Sequence, residues 1–121
     1  MPSMEWIDRI RPTDLQQLII NWETQQEVKG TSKELDFMPP VKLFAPAGAM
    51  TWLIAECDDK GLAFGLADLG FETPEIGYIS LPEIFSVRIG HLFIEQDVYF
   101  KPTKSLAQYA AEARQKGRII V

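Results

Sequence analysis

Residues 51–68, TWLIAECDDKGLAFGLAD, constrain the fold more than any other stretch of this chain. Two apolar runs, Thr51 to Asp58 and Leu62 to Asp68, flank Asp58-Asp59-Lys60-Gly61, where Gly61 suits the left-handed position of a hairpin turn. Pairing across that turn sets Cys57 opposite Leu62, Ala55 opposite Phe64 and Leu53 opposite Leu66. Alternation then places Leu53, Ala55, Cys57, Leu62, Phe64 and Leu66 on one face. The other face carries Trp52, Ile54, Glu56, Ala63, Gly65 and Ala67. Both faces are largely apolar, so both are expected to be covered. The small residues Ala63, Gly65 and Ala67 leave room for Trp52 or for a helix packed close on the sheet. Glu56 is the exception. The favoured reading sends it to solvent past the sheet rim, and the other makes it a buried acid with a perturbed pKa.

The remaining elements follow from local signals. Leu15, Leu18, Ile19 and Trp22 recur at i, i+3, i+4 and i+7, predicting an amphipathic helix from about Asp14 to Glu23. Thr13 is its expected cap with Gln16 as capping-box partner, and Gln16, Gln17, Asn21 and Glu23 take the polar face. Residues 3–10 add a short helical turn capped by Ser3. Residues 25–40, QQEVKGTSKELDFMPP, keep no period and read as a long loop, the kind that is often mobile or functional. Strands are expected over Val41–Phe44, Ile76–Ile79 and Asp97–Lys101, with residues 87–96 left open. Ser80-Leu81-Pro82-Glu83 starts a short helix over Leu81–Ser86. Ser105 caps a final helix with a stripe of Leu106, Tyr109, Ala110 and Ala113, stopped by Gly117. Ile119-Ile120-Val121 follows as an apolar tail, read as an edge strand. The sum is an α+β fold: an antiparallel sheet of about four to six strands with an N-terminal and a C-terminal helix packed on it.

At 121 residues the chain reads as a single domain, 1–121, with residues 1–11 as a variable N-terminal extension. A net charge of −5 disfavours sequence-independent nucleic-acid binding, which needs Lys and Arg to neutralise phosphates. It suits a basic surface on a protein partner. No apolar run is long enough to span a membrane, and the N-terminus, MPSMEWIDRI, has no apolar signal core. The single cysteine, Cys57, forbids an internal disulfide and points to a reduced, cytoplasmic setting.

Candidate chemistry is sparse. Asp68, Glu72 and Glu75 gather within eight residues and precede Tyr78. Clustered carboxylates hold hard cations or act as acid and base. The intervening Phe71, Thr73 and Pro74 break the spacing of a metal loop, and no second His or Cys is near. A solvated turn is the plainer reading, and a partner-binding edge formed by Asp68, Glu72, Glu75 and Tyr78 is the functional one. Ser80 reads as a helix cap rather than a nucleophile, because no Gly-x-Ser-x-Gly elbow surrounds it and His91 is the only histidine. Cys57 with His91 would make a thiol–imidazole pair, but apolar neighbours favour a core role for the thiol. The glycines form no phosphate-binding pattern. No cofactor and no metal are implied.

Four segments resemble one family: VKLFAPAGAMTWLIAE (41–56), GLADLGFETPEIGYISLPEI (65–84), EQDVYFKP (95–102) and SLAQYAAEARQKGRIIV (105–121). Over these the chain resembles a bacterial family catalogued as domain of unknown function 2958. The resemblance implies a small stand-alone protein encoded on plasmids, integrative elements or prophage-like islands, with no catalytic residues to transfer. It suggests a counter-defence role, anti-restriction or anti-CRISPR-like. The expected function is therefore non-enzymatic binding through protein–protein contact. The alternative is a small acid/base enzyme using Glu56, Asp68 or Glu75 beside the sheet. A homodimer joined through Ile119, Ile120 and Val121 is a third reading.

Overall fold

The computed structural model describes residues 2–121, with side chains from Trp6 onward. The elements run in chain order as a 3-10 helix (Pro2–Arg9), α1 (Pro12–Gln26), β1 (Val41–Phe44), β2 (Thr51–Cys57), β3 (Leu62–Asp68), β4 (Glu75–Ser80), α2 (Leu81–Ser86), β5 (Arg88–Ile89), β6 (Leu92–Phe93), β7 (Glu95–Gln96) and α3 (Leu106–Lys116). Five strands form one antiparallel sheet in the order β4-β3-β2-β1-β7, and β5 and β6 form a separate small hairpin. The fold is α+β, and the strand placed over Asp97–Lys101 is instead the two-residue β7, which ends where Asp97 turns the chain. The expected Ser3 cap lies outside the described side chains.

Both faces of the sheet are covered. On one, Val41, Leu43, Trp52, Ile54 and Ala63 pack with Leu18 of α1, Trp6 and Ile10 near the N-terminus, and Leu81 and Phe85 of α2. On the other, Leu53, Ala55 and Leu66 pack against Leu106, Tyr109, Ala110 and Ala113 of α3. Close approach across β2 and β3 depends on Gly65, where a Cβ would lie 2.2 Å from the Leu53 carbonyl oxygen.

The hairpin pairs as expected at Leu53–Leu66 and then departs from expectation. Ile54 pairs with Gly65, but Glu56 pairs with Phe64 and Cys57 with Ala63, so Ala55 is an extra residue in β2. This β-bulge resets the alternation. Cys57 thereby joins Ile54 and Ala63 in the α1-side core instead of the Leu53 face, and Leu62 is exposed at the strand's start. Glu56 joins the row of Phe64, which continues to Tyr78.

Helix α1 also starts differently. Pro12 occupies its first turn, Arg11 is the N-cap, and no side chain caps the helix. Proline's fixed φ fits the first helical position, and its missing N–H would have no partner there anyway. Thr13 therefore sits inside the helix rather than at its cap, and Arg11 Nε instead bonds Asp14 at 2.8 Å. The helix continues to Gln26, with Asn21 and Gln25 buried, so Asn21 does not belong to the polar face. By contrast, Ser80 caps α2, Ser105 and Gln108 form a capping box on α3, and Gly117 ends α3 at φ 74°.

Candidate functional site

Two regions of the sheet carry the residues that sequence reasoning singled out. The first is the loop from Asp68 to Glu75. Asp68 is buried and not available to a partner: its carboxylate accepts from Gly70 N at 2.9 Å and from Ile119 N at 3.0 Å. It thus fastens the C-terminal tail to the end of β3. Pro74 is buried, and Glu72 holds a left-handed φ of 65° with its Cβ against Gly117. A bulky residue adopts that φ only when its surroundings impose it. The loop is thereby fixed, and it presents Leu69 and Phe71 outward, Phe71 being 77% exposed. Asp68 and Glu72 line a hollow that also holds Lys116 and Arg118, so its charge is mixed rather than purely acidic.

The tail is not a strand. Ile119 packs against the α3-side core, Ile120 is half-buried and Val121 is exposed.

The second region lies at the other end of β4. Tyr78 is half-exposed beside two rings: Phe64 at 5.2 Å between centroids and 68°, and Trp22 at 6.3 Å and 72°, both edge-to-face. Lys29 donates to the Tyr78 hydroxyl, which sets its ammonium beyond the edge of that ring, 4.5 Å from its centroid and 5.9 Å from that of Trp22. Helical spacing puts Trp22 on the apolar stripe of α1, and nothing in the pattern of residues 25–40 distinguishes Lys29. The sequence signal was Glu56, the one carboxylate in an apolar strand.

Glu56 is 2% exposed, so it does not reach solvent past the rim. The long loop is tied to the end of α1. Gln25 Nε2 donates to Leu35 O at 2.7 Å, and Leu35 N donates back to Gln25 Oε1 at 2.9 Å. That clamp brings Leu35 back against Gln25 in the last turn of α1. Gln25 Nε2 also reaches Glu56 Oε2 at 3.5 Å, while Glu56 Oε1 has no partner among the described residues. Burial pushes the Glu56 pKa up; the hydrogen bond from Gln25 and the charge of Lys29 oppose it, and the charge of Glu34 adds to it. The neighbouring Cys57 thiol is pushed up to about 12, first by burial and then by the charges of Asp58 and Glu56. A thiol so protonated is no nucleophile, and His91 is exposed on the distant turn of the β5–β6 hairpin.

The three carboxylates proposed for acid/base work are not brought together. Glu56 pairs with Phe64, four residues from Asp68 along β3, a separation of about 13 Å at strand rise. Glu75 pairs with Ala67 and so shares its face, opposite to that of Asp68. No group of three or more His, Cys, Asp or Glu suited to a metal occurs among the described residues. Fold and surface together define a small two-faced α+β domain with a free sheet edge, β4, bordered by a fixed loop. The chain belongs to the family Protein of unknown function (DUF2958), whose sequence pattern matches residues 10–120. Comparison with curated proteins and with solved structures finds no match.

Proposed function

We propose that this protein works by contact with another protein rather than by chemistry, through β4 and the loop that leads into it. The observation that carries this reading is Phe71, a large aromatic held almost fully in water by a loop pinned at Asp68, Glu72 and Pro74. Exposed aromatic side chains on rigid supports are the usual anchors of protein interfaces, because little conformational freedom is lost when they are buried. Ile76 and Tyr78 extend the apolar character along β4, which pairs on one side only. The net charge of −5 favours a partner with a basic surface. The family resemblance supplies the setting: an accessory or counter-defence protein, anti-restriction or anti-CRISPR-like, encoded on a bacterial mobile element and acting in the cytoplasm. The acid/base alternative keeps one supporting observation, the raised pKa of Glu56, without a second carboxylate from Asp68 or Glu75 beside it.

The test is recovery of the tagged protein from its native host with intact defence systems, alongside Phe71→Ala. A partner retained by the parent chain and reduced at least about tenfold by the substitution supports the reading, as expected for loss of an aromatic anchor. Recovery of no specific partner, or of one indifferent to Phe71, overturns it.

A further inference from the structure

We propose that the open groove between the 3-10 helix and α1 is a docking site for a basic amphipathic helix of a partner protein. The groove shares no residue with β4 or the Phe71 loop, so this inference goes beyond the contact proposed there.

The groove follows from an apolar arc on α1 that is wider than the core covers. Leu18 is fully buried, Leu15 and Ile19 are half-buried, and Ile20 is 46% exposed. Ile7 and Ile10 join Leu15, Ile19 and Ile20 in lining a hollow of about 530 Å³. Ile7, Leu15 and Ile19 also pack against the α1-side core, which anchors the floor. A hollow of this size lies in the range of sites that take a ligand or several side chains.

The turn between the two walls is fastened from outside the groove. Arg11 N donates to Gln96 Oε1 at 2.8 Å, and Gln96 Nε2 donates to Asp14 Oδ2 at 2.7 Å. Arg9 Nη2 donates to the Ile94 carbonyl at 2.5 Å. Trp6 and Ile10 are buried and root the 3-10 helix in the same core, while Pro12 fixes φ where α1 begins. The groove is thereby held open with apolar side chains facing water. Burying them against a partner removes that cost without a rearrangement first.

Shape and charge select the occupant. Pro12, Leu15, Gln16, Ile19, Ile20 and Glu23 form one stripe of three turns, about 16 Å long at the rise of a helix. A helix laid along such a stripe seats its own i, i+3, i+4 and i+7 side chains in it. The charged lining residues are Asp8 on the 3-10 helix and Glu23 at the C-terminal end of the stripe. Among the described residues no basic side chain lines the groove, and neither carboxylate has an ion-pair partner. Lysine or arginine flanking the apolar anchors meets complementary charge, whereas an acidic helix is repelled.

The test titrates the protein with acetyl-Lys-Leu-Ala-Lys-Leu-Leu-Lys-Lys-Leu-Ala-Lys-Leu-amide, whose leucines share one helical face. Two further peptides carry glutamate for every lysine, or the same residues scrambled so that the leucines surround the helix. Calorimetry at physiological salt reads the affinity, and NMR of the isoleucine methyl groups locates the site. The lysine peptide should bind with shifts at Ile19 and Ile20, and more tightly than either control. Ile20→Ser should weaken it about fivefold, the scale of half-burying one isoleucine side chain. Asp8→Asn combined with Glu23→Gln should weaken it about threefold, as for two exposed ion pairs. Ile20→Ala is a milder second variant, and melting curves show that each protein is folded. Equal binding of the scrambled peptide reveals adsorption of charge alone and overturns the proposal. So do absent binding of the lysine peptide, tighter binding of the glutamate peptide, or an affinity that both Ile20 variants leave unchanged. A dimer in light scattering that Ile20→Ser disperses gives the groove to a second copy of the chain, and likewise overturns it.

Discussion

At the scale of single residues, Glu56 is the side chain whose placement has the clearest energetic consequence. Burial in a nearly dry site disfavours its charged form, so its folded pKa is raised above the ordinary value of 4.5. A raised folded pKa means that the native state binds the proton more tightly than the unfolded chain does. The associated stability is fully present below pH 4.5 and is lost as pH climbs through the folded pKa. Glu56→Gln keeps the shape and the contact with Gln25 but carries no charge. The variant should gain on the parent as pH rises, reaching roughly 1–2 kcal/mol at pH 8, the scale of a poorly satisfied buried polar group. Urea unfolding of both proteins at pH 5 and pH 8 measures this. A constant difference between the two pH values would show that the carboxyl is not taxed by burial.

At the scale of elements, the sheet turns on how closely β2 and β3 approach. Gly65→Ala would drive a Cβ into the Leu53 carbonyl, which is backbone and has no flexible end to yield. A loss of about 3 kcal/mol or more in thermal or urea unfolding is expected, as for other overpacked core sites. Gly77 on β4 is the internal control. Its Cβ position is open to 4 Å, so Gly77→Ala should be neutral or stabilising by about 0.5 kcal/mol through the unfolded chain. Equal effects at the two glycines would refute the close approach. Much of this scale was legible beforehand. The bounds of β1, β3 and α2 follow from alternation, turn residues and caps, and the serine caps at positions 80 and 105 are local signals that tertiary structure did not alter. The bulge at Ala55 was not legible, because apolar side chains on both faces of β2 leave no polar marker for the residue at which alternation slips. That one residue moved Cys57 to the other core and set Glu56 in the row of Phe64 and Tyr78. Thr13 misled for a different reason: a capping box and a first-turn proline compete for adjacent positions, and Pro12 prevailed. The Trp22–Lys29–Tyr78 corner was hidden because it joins residues 22, 29 and 78 through the Gln25–Leu35 clamp, a contact between side chain and backbone that has no periodicity.

At the scale of the whole molecule, the C-terminal tail joins β3 to α3 and closes the α3-side core. After Gly117 turns the chain, Ile119 donates its amide to Asp68 and packs its side chain against the core cluster that holds Leu53 and Leu66. Both interactions are internal to one chain, which leaves Ile120 and Val121 as the tail's outward apolar groups. Deletion of residues 119–121 strips one hydrogen bond from a buried carboxylate and exposes part of that core. A loss of about 2 kcal/mol is expected, from the unpaired polar group and the lost apolar burial together. Asp68→Asn should reproduce part of it, because an amide carries one carbonyl oxygen in place of the two oxygens that serve Gly70 and Ile119. A tail that acts within the chain gives unfolding midpoints independent of protein concentration, before and after deletion. If the tail instead joins two chains, as pairing through Ile119, Ile120 and Val121 would, the parent's midpoint rises with concentration and the truncated protein's does not. Unfolding curves at two concentrations a hundredfold apart, with light scattering at each, separate the two cases.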